Sequence, residues 1–227
     1  GDVNEELRVY ASDKKIKIDT TEDLKNNVLA ELENTDILLM AAAPLDFRPA
    51  IVYDKKLKKQ NISSDCVVCG QKNEWSLKTK FYECEGDIIC AVLQNENWHQ
   101  SFPGRMHGGM ISAVLDEAIG RAVMIKNPDQ WGVTGELKVR FLKPAPLDTT
   151  LICVTKLVSE NSRLFKGVGY LEDENGTLLA TAEATYFKLD IHKITTENFA
   201  EHWFYEDGKI PEFIETSNLE KLEILAK

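Results

Sequence analysis

The run Met106-His107-Gly108-Gly109-Met110-Ile111-Ser112-Ala113-Val114-Leu115-Asp116-Glu117-Ala118-Ile119-Gly120-Arg121-Ala122 decides how the rest of the chain is read. It follows the loop signal Pro103-Gly104 and carries a helix pattern that stops near Lys126-Asn127-Pro128. Apolar residues occupy nearly every side of that helix, as in one enclosed by its own domain. Asp116 sits in the middle, where an unpaired carboxylate is costly to bury. Packing does not ask for it. Its neighbour Glu117 stands four residues before Arg121, the favourable order for a helical ion pair, and reads as surface chemistry.

Strand patterns lie on both sides of this helix. Leu77–Glu83 alternates apolar and polar residues, and 87–93 forms a second run after the Glu85-Gly86 turn. Beyond the helix come runs at 132–142, 149–158, 163–172 and 178–189, with turn clusters at Glu160-Asn161-Ser162 and Asp173-Glu174-Asn175-Gly176. Two strands, one long apolar helix and four strands in hairpin order predict an α+β domain, its antiparallel sheet curled around a single helix. Residues 194–227 read as a C-terminal tail, anchored by Trp203, Phe204 and Tyr205, with a short helix over 218–226.

A net charge of −10, from 27 basic and 37 acidic residues, disfavours a nucleic-acid binder or a partner of anionic membranes. No apolar run reaches membrane-spanning length. No secretory leader is read at the start, which is Gly rather than Met. Five cysteines, an odd number without a regular framework, are expected as reduced structural thiols in a cytoplasmic setting. Cys66 and Cys69 form a CxxC, but Cys84 and Cys90 are too widely spaced for a standard second zinc pair, so no metal and no cofactor are expected.

Residues 1–61 have another character and are read as an N-terminal extension. Thr20-Thr21-Glu22-Asp23 starts a helix through Leu24, Val28 and Leu32. Ile37–Ala41 reads as a buried strand, 42–49 as a loop and Lys55–Lys59 as a basic run. Helix, strand and loop are pieces of a doubly wound sheet. Thr20-Thr21-Glu22, the Met40–Pro49 stretch and the lysines resemble part of the phosphopantothenoylcysteine synthetase of coenzyme A biosynthesis. The Gly-rich nucleotide loop of that family is absent here. The expectation is a synthetase-like fragment, too small to bury a core alone.

The segment Trp98-His99-Gln100-Ser101-Phe102-Pro103-Gly104-Arg105-Met106-His107-Gly108-Gly109, with Asp116 nine residues after His107, resembles the hotdog-fold acyl-CoA thioesterases of the phenylacetate-degradation and 4-hydroxybenzoyl-CoA type. The likeness covers about residues 64–193, including Cys66–Gly70, Val133-Thr134-Gly135 and Phe141–Leu147. A hotdog domain over 62–193 is therefore expected. The resemblance implies hydrolysis of an acyl-CoA thioester in a homodimer or homotetramer with the active site at the subunit interface. It makes Asp116 the base or nucleophile, gives the Gly108 N–H the carbonyl to polarise, and has Thr134 orient the water or the carboxylate.

The residue chemistry agrees independently. Thioester hydrolysis needs a carboxylate and a donor for the developing oxyanion. Free N–H groups at a helix N-terminus supply such donors, and the macrodipole favours negative charge there. Gly108 and Gly109 allow close approach. Gly109, Ser112, Asp116 and Gly120, three to four residues apart, make one helix face thin. His107 is expected either to hold the loop or to take part in chemistry. Related enzymes carry Asn or Gln six residues before the His; here that position is Ser101, beside Gln100, and either is a candidate for assisting the oxyanion. Lys138, Arg140 and Lys143, with Arg163 and Lys166, are candidates for the phosphates of coenzyme A. The rival readings are an acyl-CoA-binding module without turnover and a hydratase or dehydratase, which fold alone does not separate from a hydrolase.

Overall fold

The computed structural model describes residues 51–52, 57–206 and 208–227, together with Asn26 and Ala30, which are helical and exposed. The chain divides into two compact units, Gly1–Arg48 and Pro49–Lys227. The expected strand at 37–41 and loop at 42–49 lie outside the described residues. So does the expected helix after Thr20, apart from Asn26 and Ala30.

In the second unit the strands are β1 (Ile51–Val52), β2 (Lys58–Lys59), β3 (Ile62–Ser63), β4 (Lys80–Cys84), β5 (Ile88–Gln94), β6 (Trp131–Phe141), β7 (Thr150–Glu160), β8 (Leu164–Asp173), β9 (Leu178–Leu189), β10 (Trp203–Phe204) and β11 (Glu215–Thr216). Seven of them form one sheet in the order β2-β4-β5-β7-β8-β9-β6, every pair antiparallel. The central helix spans Gly108–Arg121 and tightens into a 3₁₀ turn over Ala122–Ile125. This is the hotdog fold.

The four strands after the helix are not in simple hairpin order, contrary to the sequence expectation. β6 pairs with β9, and β7 pairs with β5 and β8. The link from β6 to β7 is held against the start of the helix: Met106 N–H donates to Ala145 O at 3.0 Å, and Arg105 bridges Pro146. That attachment carries the chain across to β5 and leaves β6, 11 residues long, as an edge strand.

No residue from Met110 to Ile125 is exposed, as the all-round apolar pattern predicts. Ile111, Val114, Leu115, Ala118 and Ile119 pack on Phe81, Ile89, Leu93, Leu151, Phe165 and the small side chains of β9. The outer face of the sheet is covered too. Tyr82, Cys90, Val154, Val168 and Tyr170 form a second cluster with Leu57, Ile214 and Leu222. β5 is thus buried on both faces, which is why Ile88–Leu93 is a continuous apolar run rather than an alternating one.

The tail supplies Ile214 and Leu222 of that cover. Glu172, buried, accepts hydrogen bonds from the Ser217 N–H and the Asn218 amide, and a short helix, Glu220–Leu225, seats Leu222. Three short strands before β4 pair with neighbours: β1 with β11, β2 with β4 and β3 with β10. The expected strand over 77–83 is observed as β4 from Lys80, and its first three residues are loop. Lys78 takes a positive φ of 51°, and its ammonium group donates to three backbone carbonyls, Gly70, Gln71 and Asn73.

Candidate active site

Pro103-Gly104 closes a loop whose backbone turns back on itself. His99 organises it. The ring is buried, Nδ1 accepts from the Glu96 N–H at 3.0 Å, and Nε2 lies 3.0 Å from Trp75 O. With Nδ1 accepting, Nε2 must carry the proton and donate. The His99 carbonyl accepts from the His107 N–H at 2.8 Å, so this buried imidazole aims the start of the central helix.

His107 is the N-cap of that helix. Its backbone is extended (φ −68°, ψ 133°), and its Nδ1 accepts from the Gly109 N–H at 2.8 Å. The His107 carbonyl accepts from Met110 and Ile111. Among the described residues the Gly108 N–H has no partner. Of the two glycines, Gly108 therefore keeps the free donor, and Gly109 has given its own to the histidine. A Cβ on Gly108 would meet the ring of Phe141 at 3.3 Å, so the approach to this N–H runs beside an aromatic edge. Phe141, Leu142 and Phe102 are all substantially exposed.

Two turns along, Asp116 is half-buried and held by two hydroxyls. Thr134 Oγ1 lies 2.9 Å from Oδ1 and 3.2 Å from Oδ2. Tyr186 Oη lies 3.0 Å from Oδ1 and 2.7 Å from the Asp116 main-chain carbonyl. Thr134 and Tyr186 face each other across the β6–β9 ladder, just before its bulge between Thr134 and Glu136. Tyr186 is buried and stacked on Phe165, ring centroids 4.7 Å apart. Burial first, then the Asp116 carboxylate, pushes its phenol well above the usual tyrosine range, so the hydroxyl stays a donor. Sequence reasoning missed Tyr186. The signal for it was the alternation Ala180, Ala182, Ala184, Tyr186 on the helix-facing side of β9, where one large polar ring follows three small residues.

The structure thus brings Asp116 and Thr134 together and places Gly108, Gly109 and His107 at the same helix start. Gln100 and Ser101 lie on the loop that leads into the helix start: Gln100 bridges Met106, its Oε1 accepts from the Gly104 N–H at 2.8 Å, and Ser101 is exposed. Lys138 and Arg140 are exposed on the face of β6 turned away from the helix, Lys138 reaching Glu183 at 3.9 Å, while Leu137 and Val139 point to the core. Lys143 and Arg105 are exposed on the paired segments beside the helix N-terminus. Arg105 was not singled out from sequence. Arg163 and Lys166 are exposed on or beside β8.

Glu117 and Arg121 require a correction. They are not a surface pair: the Arg121 side chain is 4% exposed and that of Glu117 21%, with Nη2 2.6 Å from Oε1. Arg121 lies over the rings of Phe81, at 3.9 Å, and Trp203, at 4.9 Å, and donates to Asn61 O. Segments distant in sequence, 61–69 and 199–204, close over this side of the helix, which no helical periodicity could reveal. Beside the pair sit Cys66 and Cys69. Their shared hydrogen bond holds the Cys66 thiol below its ordinary value and pushes Cys69 up.

The comparisons agree with this architecture. Residues 103–180, which hold the helix and most of the strands after it, match the thioesterase superfamily model. Residues 3–74 match the model of the DNA/pantothenate metabolism flavoprotein C-terminal domain. Acyl-coenzyme A thioesterase THEM4 of Mus musculus is 29% identical over 150 residues, 64% of either chain. The Bos taurus protein of the same name is 28% identical over 117 residues, 49% of this chain and 45% of that one. The chain thus spans between 45% and 64% of the length of these two relatives. The coenzyme A biosynthesis bifunctional protein CoaBC of Vibrio vulnificus is 32% identical over 59 residues, 26% of this chain and 15% of that one. The crystal structure of a thioesterase superfamily protein superposes with a TM-score of 0.51 at 20% identity, covering 81% of this chain and 79% of the other.

Proposed function

We propose that the hotdog domain hydrolyses an acyl-CoA thioester to the free acid and coenzyme A. The observation that carries this reading is the pair of groups on one helix: a carboxylate fixed by two hydroxyls, and two turns earlier a glycine N–H without a partner. Eight residues, about 12 Å of helical rise, separate Gly108 from Asp116 in one chain. The thioester carbonyl oxygen therefore takes the Gly108 N–H of one protomer, while the carboxylate comes from Asp116 of a second copy. The macrodipole supports the negative charge that develops at that N–H. Asp116 either attacks the carbonyl carbon or deprotonates the attacking water. Thr134 and Tyr186 both hold Oδ1, so Oδ2 is the freer oxygen to do this work. Collapse of the tetrahedral intermediate expels the coenzyme A thiolate, which takes up a proton. Where Asp116 attacks directly, the product is a mixed anhydride that water then cleaves to free the acid and restore the carboxylate. His107 is not required as a base; it holds the helix start through the Gly109 N–H.

The active form is a homo-oligomer joined along β6. This strand is long, edge-placed and carries an open row of backbone donors and acceptors, a surface that proteins rarely leave uncovered. Exposed Val133, Phe141, Leu142 and Phe187 supply apolar area on it and beside it. Lys143 and Arg105 are the basic groups best placed for the phosphates of a ligand entering at the helix start. The test is release of free thiol from short, long and aromatic acyl-CoAs by the full chain and by its Asp116→Asn variant. Turnover by the first and none by the second supports the reading. Unchanged turnover in the variant overturns the catalytic assignment. Binding of every acyl-CoA without thiol release makes this a binding module.

A further inference from the structure

The sulfur atoms of Cys66 and Cys69 and a carboxylate oxygen of Glu117 lie within 4.8 Å of one another. Cys66 Sγ is 3.1 Å from Glu117 Oε2. Cys66 is half-buried and Cys69 fully buried. From a Zn–S bond of about 2.3 Å, tetrahedral geometry sets neighbouring sulfur ligands about 3.7 Å apart. The three side chains therefore need only sub-ångström to ångström-scale movement to share one ion.

We propose that Cys66, Cys69 and Glu117 bind one divalent ion of the zinc class, with a solvent molecule in the fourth position.

Each of the three ligands already has an outer partner of the kind that orients metal ligands. The Val68 N–H donates to Cys66 Sγ at 3.3 Å, and the Ser63 N–H donates to Cys69 Sγ at 3.4 Å. Arg121 grips the other carboxylate oxygen, Oε1, through Nε at 3.1 Å and Nη2 at 2.6 Å, and Nη2 also reaches Cys69 Sγ at 3.5 Å. Oε2 is left facing the sulfurs. The loop itself is a tight knuckle: the Gly70 N–H returns to Cys66 O at 2.8 Å, and a Cβ at Gly70 would stand 2.4 Å from that oxygen. Only glycine closes this turn. The charges also balance: two thiolates and one carboxylate, against one guanidinium and one divalent cation, sum to zero in a site where uncompensated charge is costly.

The ion ties the 61–70 segment to the helix one residue beyond Asp116. Its role is to hold the helix in the rotation that aims Asp116 at Thr134 and Tyr186. Widely spaced Cys84 and Cys90 played against zinc in the sequence because a standard second pair was sought; the third ligand is a glutamate 51 residues from Cys66.

The test uses the reduced full chain, stripped with a chelator and titrated with Co²⁺, whose thiolate-to-metal charge-transfer band reports sulfur ligation without reference to hydrolysis. The expected result is a band that saturates at one equivalent and is displaced by Zn²⁺, with a rise in Tm on Zn²⁺ addition. Cys66→Ser and Cys69→Ser should lose the band, and Glu117→Gln should keep a weaker one, with affinity reduced ~10- to 100-fold or more. Absence of the band in the wild-type chain overturns the proposal without recourse to any variant. So does a band that survives in the Cys66→Ser/Cys69→Ser double variant, or a Cys66–Cys69 disulfide that forms with oxidised glutathione as readily in the presence of Zn²⁺ as without it. A chain that binds Co²⁺ through sulfur but hydrolyses no acyl-CoA leaves the ion site standing and removes only the thioesterase reading.

Discussion

The Tyr186 hydroxyl lies 2.7 Å from the main-chain carbonyl of Asp116 and 3.0 Å from its Oδ1. One phenol therefore registers both the backbone and the side chain of the same residue. The carboxylate cannot swing without losing the bond, and the helix cannot slide along β9 without losing it either. Tyr186→Phe should lower kcat about tenfold, about 1.4 kcal/mol of barrier, with KM little changed. It should also cost about 1 kcal/mol of stability, a typical net hydrogen bond. Steady-state kinetics and denaturant melts check both. A kcat equal to wild type would mean that the hydroxyl only packs.

Asp116→Asn keeps shape and removes the charge. A loss of about 10²- to 10⁴-fold in kcat is expected if the carboxylate acts as base. The circular dichroism spectrum should be unchanged and acyl-CoA binding preserved in calorimetry.

His107 caps the helix with Nδ1, and asparagine is a good capping residue. His107→Asn should therefore retain most turnover and stability. His107→Ala should lose about 1 kcal/mol of stability and turnover with it. Equal, severe loss of turnover in both variants, without a difference in melting, would assign the imidazole to chemistry.

The Tyr186 phenol titrates above its ordinary value of about 10 because burial and the Asp116 carboxylate disfavour tyrosinate. A folded-state value raised above the unfolded one stabilises the protein fully below the unfolded value, and that contribution is lost only as pH rises through the folded one. Native absorbance titration should leave Tyr186 protonated through pH 10 and well beyond. Comparison with Tyr186→Phe identifies it: one late-titrating tyrosine should be lost in that variant, while Tyr82, also pushed up by burial, remains. A wild-type titration curve that completes near pH 10 would contradict the enclosed geometry.

Arg121→Met removes the partner of a largely buried carboxylate. Breaking such a pair from one side costs about 3–5 kcal/mol, read as a marked drop in Tm. A change within a few tenths of a kcal/mol, the usual surface-pair value, would return Glu117 and Arg121 to solvent.

Much of this domain was legible in local pattern. The enclosed helix, its glycine start, the strand runs on either side and Asp116 as a residue that packing alone does not explain follow from periodicity and from the cost of burying charge. Thr134 came from resemblance, and its contact with Asp116 is now visible. Tyr186 escaped because an aromatic in a strand is ordinary core, and nothing local says that its hydroxyl finds a carboxylate 70 residues away. Glu117 and Arg121 were misplaced for a related reason: spacing on a helix locates a pair on one face but does not say what covers that face.

By itself the sequence determined the periodicities, hence which segments become helix or strand, and which polar residue sits where polarity is expensive. Those quantities depend on neighbours within a few residues. The tertiary structure alone decided which glycine N–H stays free, which hydroxyls hold Asp116, which strand is left at the sheet edge and which segments bury Arg121. Each of these depends on contacts closed by long loops, such as the β6–β7 link that moves β7 next to β5. Their energies arise only once the enclosing segments have excluded water.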